Sequence, residues 1–186
     1  MKKFLVIGNP IEHSLSPSLH NYWIKKNNIE AIYEKQKIEE KDLKDLVEEV
    51  KGRKINGANI TVPFKKKIIP HLDKLSKEAQ ETQSVNTIYL HKNEVVGHNT
   101  DIEGFELSLK EVQFNITNKK ILILGAGGVV PSLIFTLLKM KAAKITLSNR
   151  SRNNAEILKK LNNNFIIGDW GKIIDFDMGI NGTRNG

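Results

Sequence analysis

Lys120-Ile121-Leu122-Ile123-Leu124-Gly125-Ala126-Gly127-Gly128 is the stretch whose reading decides the fold. An apolar run of strand length enters a glycine turn, and a helical pattern from Val129 to Met140 follows at once, as the first turn of a dinucleotide-binding βαβ unit requires. Glycines let the backbone approach a pyrophosphate closely, and the helix amino terminus offers N–H groups and a favourable dipole. Gly125, Ala126, Gly127, Gly128 and Val129 are therefore the candidate cofactor contacts. Val130 stands where G-x-G-x-x-G has its third glycine, and Pro131 falls within the first helical turn, where proline is tolerated.

Downstream, Lys144-Ile145-Thr146-Leu147-Ser148 reads as the second strand of that unit and ends in Asn149-Arg150-Ser151-Arg152. An NAD site usually places Asp or Glu here for the ribose hydroxyls, whereas arginine pairs with a 2′-phosphate. The turn therefore points to NADP, with Asn149, Arg150, Ser151 and Arg152 as its contacts. The plain alternative, two exposed charges at a helix start, opposes the helix dipole. A helix over Asn153 to Leu161 and strands over Phe165 to Ile167 and Met178 to Asn181 complete this half.

Upstream, Lys3 to Gly8 is an apolar strand stopped by Asn9-Pro10. In Ile11-Glu12-His13-Ser14-Leu15-Ser16-Pro17 the two serines are two residues apart, so in an extended segment both hydroxyls face one side and can grip one carboxylate. The plain alternative makes Ser16 the N-cap of a helix from Ser18 to Asn27 opened by Pro17. A strand over Ala31 to Ile38 and a helix over Glu40 to Lys51 follow. A strand over Lys54 to Thr61 then runs into Val62-Pro63-Phe64-Lys65, and Pro63 stops it, which sets Lys65 at a strand's carboxyl end. Open α/β sheets keep their ligands there. Taken alone, however, Lys65 reads as the start of a solvated Lys65-Lys66-Lys67 run.

A helical turn over Lys65 to Leu72 and a helix over Lys74 to Glu81 are expected next. Ser84 to Leu90 and Glu94 to His98 read as a hairpin around His91-Lys92-Asn93. Asn99-Thr100-Asp101 starts a helix to about Val112, with Thr100 or Asp101 as its cap. The expected domains are residues 1–100, a linking helix and its exit over 101–118, and 119–186.

Composition narrows the function classes. With 186 residues, 39% apolar, the chain can bury a core, and it has no cysteine for a disulfide or thiolate metal site. No apolar run approaches the ~20 residues of a membrane span, and the first strand is too short for a signal peptide, so the expected location is the cytoplasm. The net charge of +8 is scattered among glutamates on amphipathic helices, which argues against a nucleic-acid stripe and suits small anions.

These motifs, in this order, make the chain resemble shikimate dehydrogenase, the NADP-dependent enzyme of chorismate and aromatic amino acid biosynthesis. The resemblance rests on Gly8-Asn9-Pro10-Ile11, Ser14-x-Ser16-Pro17, Gly57 to Lys65, Val85-Asn86-Thr87, Gly97 to Asp101, Gly125 to Gly128 and Asn149-Arg150-Ser151. It implies an α/β chain: an N-terminal substrate-binding domain, then a partial Rossmann-like NADP-binding domain, with a cleft between them. It further implies that Ser14 and Ser16 bind the substrate carboxylate, and that Thr61, Lys65, Asn86 and Asp101 surround the ring hydroxyls and the reacting carbonyl. Lys65 and Asp101 would be the catalytic pair in the reversible reduction of 3-dehydroshikimate, and no metal is implied.

The frame Asn181-Gly182-Thr183-Arg184-Asn185-Gly186 departs from the family at Arg184-Asn185, near the expected nicotinamide position, and Asn154 stands where many relatives carry a second basic residue. Full-length relatives continue past this point to complete the sheet and bring a glutamine to the substrate. An unfinished sheet would leave an open edge and uncovered apolar surface, which favours aggregation or pairing with another chain, a homodimer included. The competing readings are a truncated, inactive NADP-binding or interaction protein and a quinate-using relative.

Overall fold

The computed structural model describes residues 1–172 and 174–183. The chain forms two compact units, Met1–Asn99 and Thr100 onward.

The first unit contains β1 (Lys2–Gly8), α1 (Ser16–Lys26), β2 (Ala31–Lys37), α2 (Leu43–Lys51), β3 (Gly57–Ile60), β4 (Lys74–Leu75), α3 (Lys77–Thr82), β5 (Thr87–His91) and β6 (Glu94–His98). Its sheet runs β2-β1-β3-β5-β6-β4. The β1 strand pairs in parallel with β2 and β3, while β3, β5 and β6 pair antiparallel. Leu43, Leu46, Val47 and Val50 of α2 turn one apolar stripe onto the sheet, as their spacing requires, and pack with Leu5, Ile7, Ile60, Phe64 and Ile88. Truncating a fully buried Leu or Ile of this core costs about 2–5 kcal/mol.

Three local expectations are corrected. Lys74 and Leu75 form a strand beside β6, and the helix begins at Lys77, where the Ser76 side chain accepts from the Ala79 N–H. The hairpin turn is the two residues Lys92-Asn93, both with positive φ (48° and 67°), which suits the twist of the strands it joins. Ser16 is the first residue of α1 and not its N-cap: Leu15 holds that position. The chain turns before it, with the Ser14 N–H donating to the Ile11 carbonyl, so Ser14 and Ser16 do not sit in an extended segment.

The second unit contains α4 (Asp101–Glu111), β7 (Lys120–Leu124), α5 (Val130–Lys139), β8 (Lys144–Ser148), α6 (Arg152–Leu161), β9 (Ile166–Gly168) and β10 (Met178–Asn181). All four strands are parallel in the order β10-β7-β8-β9, so the winding reverses direction between β7 and β10. Ligands of open α/β sheets bind at the carboxyl ends of the strands at such a reversal. Val130, Leu133, Ile134 and Leu137 of α5 are buried against β7 and β8, and the Thr136 hydroxyl donates to the Ser132 carbonyl inside the helix.

Candidate active site and cofactor turn

In the first unit the candidate site is built on the carboxyl ends of β1 and β3. Gly8 ends β1 under crowding: a Cβ there would lie 2.7 Å from the Thr61 methyl and 3.2 Å from the Val62 carbonyl oxygen. That close approach lets the Asn9 N–H donate to the Val62 carbonyl (3.0 Å) and the Thr61 N–H donate to Ile7 (2.9 Å). Pro63 ends the strand as expected, and Phe64, 2% exposed, anchors the turn in the core. Lys65 follows, half-buried, whereas Lys66 is exposed and Lys67 is ion-paired with Glu40.

The Lys65 carbonyl accepts the Val85 N–H at 2.8 Å, the Asn86 carbonyl accepts the Ile60 N–H at 2.8 Å, and the Asn86 N–H donates to His98 at 3.0 Å. Thr61, Lys65 and Asn86 are thereby drawn together by backbone hydrogen bonds from residues far apart in sequence. Ser14, on the turn that follows β1, and Ser16, the first residue of α1, are both half-buried. The Ser14 hydroxyl accepts the Ser16 N–H at 3.3 Å, so it occupies the helix entry and keeps its proton for donation. Asp101 is the first residue of α4 in the second unit, where a carboxylate is favoured by the helix dipole.

No local motif marks Asn59, although it lies within the strand that opens the site. Period-two alternation puts Asn59 and Thr61 on one face of β3 and the buried Ala58 and Ile60 on the other. The Asn59 carboxamide accepts from the Tyr33 hydroxyl at 2.6 Å and donates to Thr87 Oγ1 at 3.1 Å. Tyr33 is stacked on His20 with centroids 4.2 Å apart, and the Asn21 side chain brackets its backbone N–H and carbonyl on the sheet edge. Burial pushes the Tyr33 hydroxyl up to about 12 and holds the His20 imidazole below its ordinary value. Tyr33 thus stays protonated, as a donor, across the working range.

In the second unit, Gly125 and Gly127 carry the cofactor turn. Gly125 has φ +97°, and a Cβ on it would meet the Thr183 nitrogen at 2.6 Å. The Gly125 N–H donates to Ser148 at 2.8 Å and the Gly127 N–H to Gly182 at 2.9 Å. Val130 fits in place of a third glycine because Gly182 faces it: a Cβ on Gly182 would lie 2.6 Å from a Val130 methyl. The N–H groups of Ala126, Gly128 and Val129 enter no hydrogen bond among the described residues, and Gly128 is exposed. Unused donors before a helix amino terminus fit a pyrophosphate.

At the end of β8, Asn149 donates to the Ser151 carbonyl at 2.7 Å, closing the turn. Arg150 is exposed and forms no ion pair among the described residues. Arg152 faces Glu156 at 3.4 Å and Asp169 at 3.8 Å, which accounts for its tolerance at a helix start. The Asp169 carboxylate is held below its ordinary range chiefly by its hydrogen bond from Lys172. Asn181 ends β10 with its side chain accepting from the Thr183 N–H and hydroxyl, at 3.0 and 2.9 Å. The departures at Arg184 and Asn185 lie outside the described residues.

Among the described residues no group of His, Asp and Glu could hold a metal ion, and no helix is long and apolar enough to cross a membrane.

A family model described as the shikimate dehydrogenase substrate-binding domain matches residues 6–88. The NADP(+)-dependent shikimate dehydrogenase of Pelagibacter ubique is 58% identical over 185 residues, covering 100% of this chain and 70% of the relative. That of Staphylococcus haemolyticus is 38% identical over 154 residues, 83% of this chain and 58% of the relative. The solved structure of Thermus thermophilus shikimate 5-dehydrogenase in complex with NADP(H) and shikimate superposes with a TM-score of 0.89 at 31% identity, covering 99% of this chain and 69% of that one.

Proposed function

The chain belongs to the shikimate dehydrogenase family, and from that membership we infer that it catalyses the reversible NADPH-dependent reduction of 3-dehydroshikimate to shikimate. NADPH, when bound, supplies a hydride to the C3 carbonyl carbon. The carbonyl oxygen gains negative charge in that step, so an ammonium beside it stabilises the transition state and can deliver the proton that completes the hydroxyl. We assign that part to Lys65, with Asp101 as the carboxylate that orients the lysine and accepts from a substrate hydroxyl. Thr61 and Asn86 would bind the ring hydroxyls, and the Ser14 and Ser16 hydroxyls the carboxylate. Gly125 to Val129 would hold the pyrophosphate, and the turn Asn149 to Arg152 the 2′-phosphate. A cytoplasmic location, and pairing of two copies, go with this reading.

The observation that carries the residue assignment is the hydrogen bond from the Val85 N–H to the Lys65 carbonyl at 2.8 Å, which fixes the lysine's backbone next to Asn86. NADPH absorbance followed with 3-dehydroshikimate tests it. Lys65→Ala is expected to lower kcat on the order of 10²-fold or more, with KM changed only a few-fold. An unchanged kcat would overturn the role of Lys65. Folded chain that binds shikimate and NADP without oxidising NADPH would favour the inactive cofactor-binding reading.

A further inference from the structure

The carbonyl side of Asn59 faces a tyrosine hydroxyl, and its nitrogen has two neighbours, Thr87 Oγ1 at 3.1 Å and the Asn86 backbone carbonyl at 3.3 Å. The carbonyl decides the direction of the whole chain of bonds. It can only accept, so the Asn59 nitrogen must face it; a flipped amide would oppose two acceptor oxygens. With that end fixed, the Tyr33 hydroxyl has to donate to Asn59 Oδ1, and Thr87 Oγ1 has to accept from Asn59 Nδ2. The Thr87 hydroxyl then has one proton left, and among the described residues it donates that proton to Asn86 Oδ1 at 3.0 Å.

We propose that Tyr33, Asn59 and Thr87 are positioning residues that hold the Asn86 carboxamide in a single orientation toward the substrate. Each bond is polarised by the one before it, and the chain begins at a buried ring, 5% exposed, that cannot turn because His20 stacks on it and Asn21 clamps its backbone. The Thr87 hydroxyl pins the Asn86 carbonyl oxygen, so the plane of the amide, and with it the direction of its nitrogen, is set before substrate arrives. Preorganisation of this kind lowers the ordering cost of binding. The proposal rests on the reading that Asn86 contacts the substrate.

The test uses the full chain, labelled with ¹⁵N, with the Asn86 side-chain amide signals assigned by their loss in Asn86→Ala. Thr87→Val, of the same shape, and Tyr33→Phe are expected to shift those signals. Thr87→Ser keeps the hydroxyl and is expected to restore them. Shikimate binding measured by calorimetry is expected to weaken about tenfold in Thr87→Val and a few-fold in Tyr33→Phe, and to return in Thr87→Ser. A merely structural role would lower the melting temperature of all three variants without moving the Asn86 signals.

The proposal is overturned if Asn86→Ala weakens shikimate binding while Thr87→Val and Tyr33→Phe leave both the signals and the affinity unchanged. If Asn86→Ala binds shikimate normally, the substrate role of Asn86 is what fails. In that case the amide signals still report whether the chain of bonds orients it.

Discussion

Gly127 donates its backbone N–H to the carbonyl oxygen of Gly182 at 2.9 Å, tying the glycine turn after β7 to the loop after β10. Those two loops flank the point where the sheet reverses its winding, so the bond shapes the place where a dinucleotide would cross from one half of the sheet to the other. The glycines serve this packing as well as any ligand: both Gly125 and Gly127 are crowded by residues Gly182 and Thr183.

Gly127→Ala is accordingly expected to destabilise the second unit by about 1–3 kcal/mol, because the new methyl would stand 2.6 Å from a backbone oxygen that cannot swing aside. Gly104→Ala is the opposite case. It lies exposed inside α4 with nothing within 4 Å of a new Cβ, so replacing it is expected to stabilise by about 0.5–1 kcal/mol. Urea denaturation of the two variants beside the parent chain checks both signs, and equal midpoints for the pair would contradict the packing account.

Arg150 and Arg152 are expected to separate in cofactor titrations. Among the described residues Arg150 has no competing carboxylate, whereas Arg152 is engaged by Glu156 and Asp169. Arg150→Ala should weaken NADP binding about 10- to 100-fold, the worth of a charged hydrogen bond to phosphate, while hardly changing NAD binding. Arg152→Ala should have the smaller effect. Fluorescence titration with both cofactors measures the ratio, and a larger loss from Arg152→Ala would reassign the contact.

Asp73 is expected to make the first unit acid-sensitive. Its carboxylate accepts the Val95 N–H at 2.8 Å and faces Lys51 at 3.1 Å, and these partners, the backbone bond first, hold it below the ordinary aspartate range. The depressed value means that its contribution is fully present above the unfolded pKa, about 3.9, and is lost as pH falls through the folded one. Asp73→Asn should therefore melt lower than the parent near neutrality, and the gap should close on acidification. Melting curves from pH 7 down to the aspartate range give the answer; a gap independent of pH would assign the effect to packing.

Strand-end chemistry was legible where one residue type has a single reason to be present. Pro63 marked the end of β3, and the glycine turn announced the parallel unit. The Ser14 and Ser16 geometry differs from an extended segment because an N-cap pattern does not reveal whether the chain turns just before it, and Leu15 takes the cap position through its backbone alone. The helix expected from Lys74 starts three residues later, at Lys77, because Lys74 and Leu75 pair with a strand, β6, more than twenty positions away, a contact no local propensity encodes. Nothing local marks Asn59, since its partners, Tyr33 and Thr87, stand 26 and 28 residues away on either side.

By itself the sequence determined the two α/β units and the family with its NADP cofactor, and it nominated the candidate site residues, because glycine, proline and alternating apolar residues constrain the backbone locally and the motifs recur in a fixed order. Only the tertiary structure decided that Val130 can replace a glycine, that Arg152 is tied to the carboxylates of Glu156 and Asp169, and that a buried tyrosine starts the chain of bonds reaching Asn86. Each of these depends on what stands opposite a residue across the sheet or loop, and that is set by folding rather than by sequence neighbours.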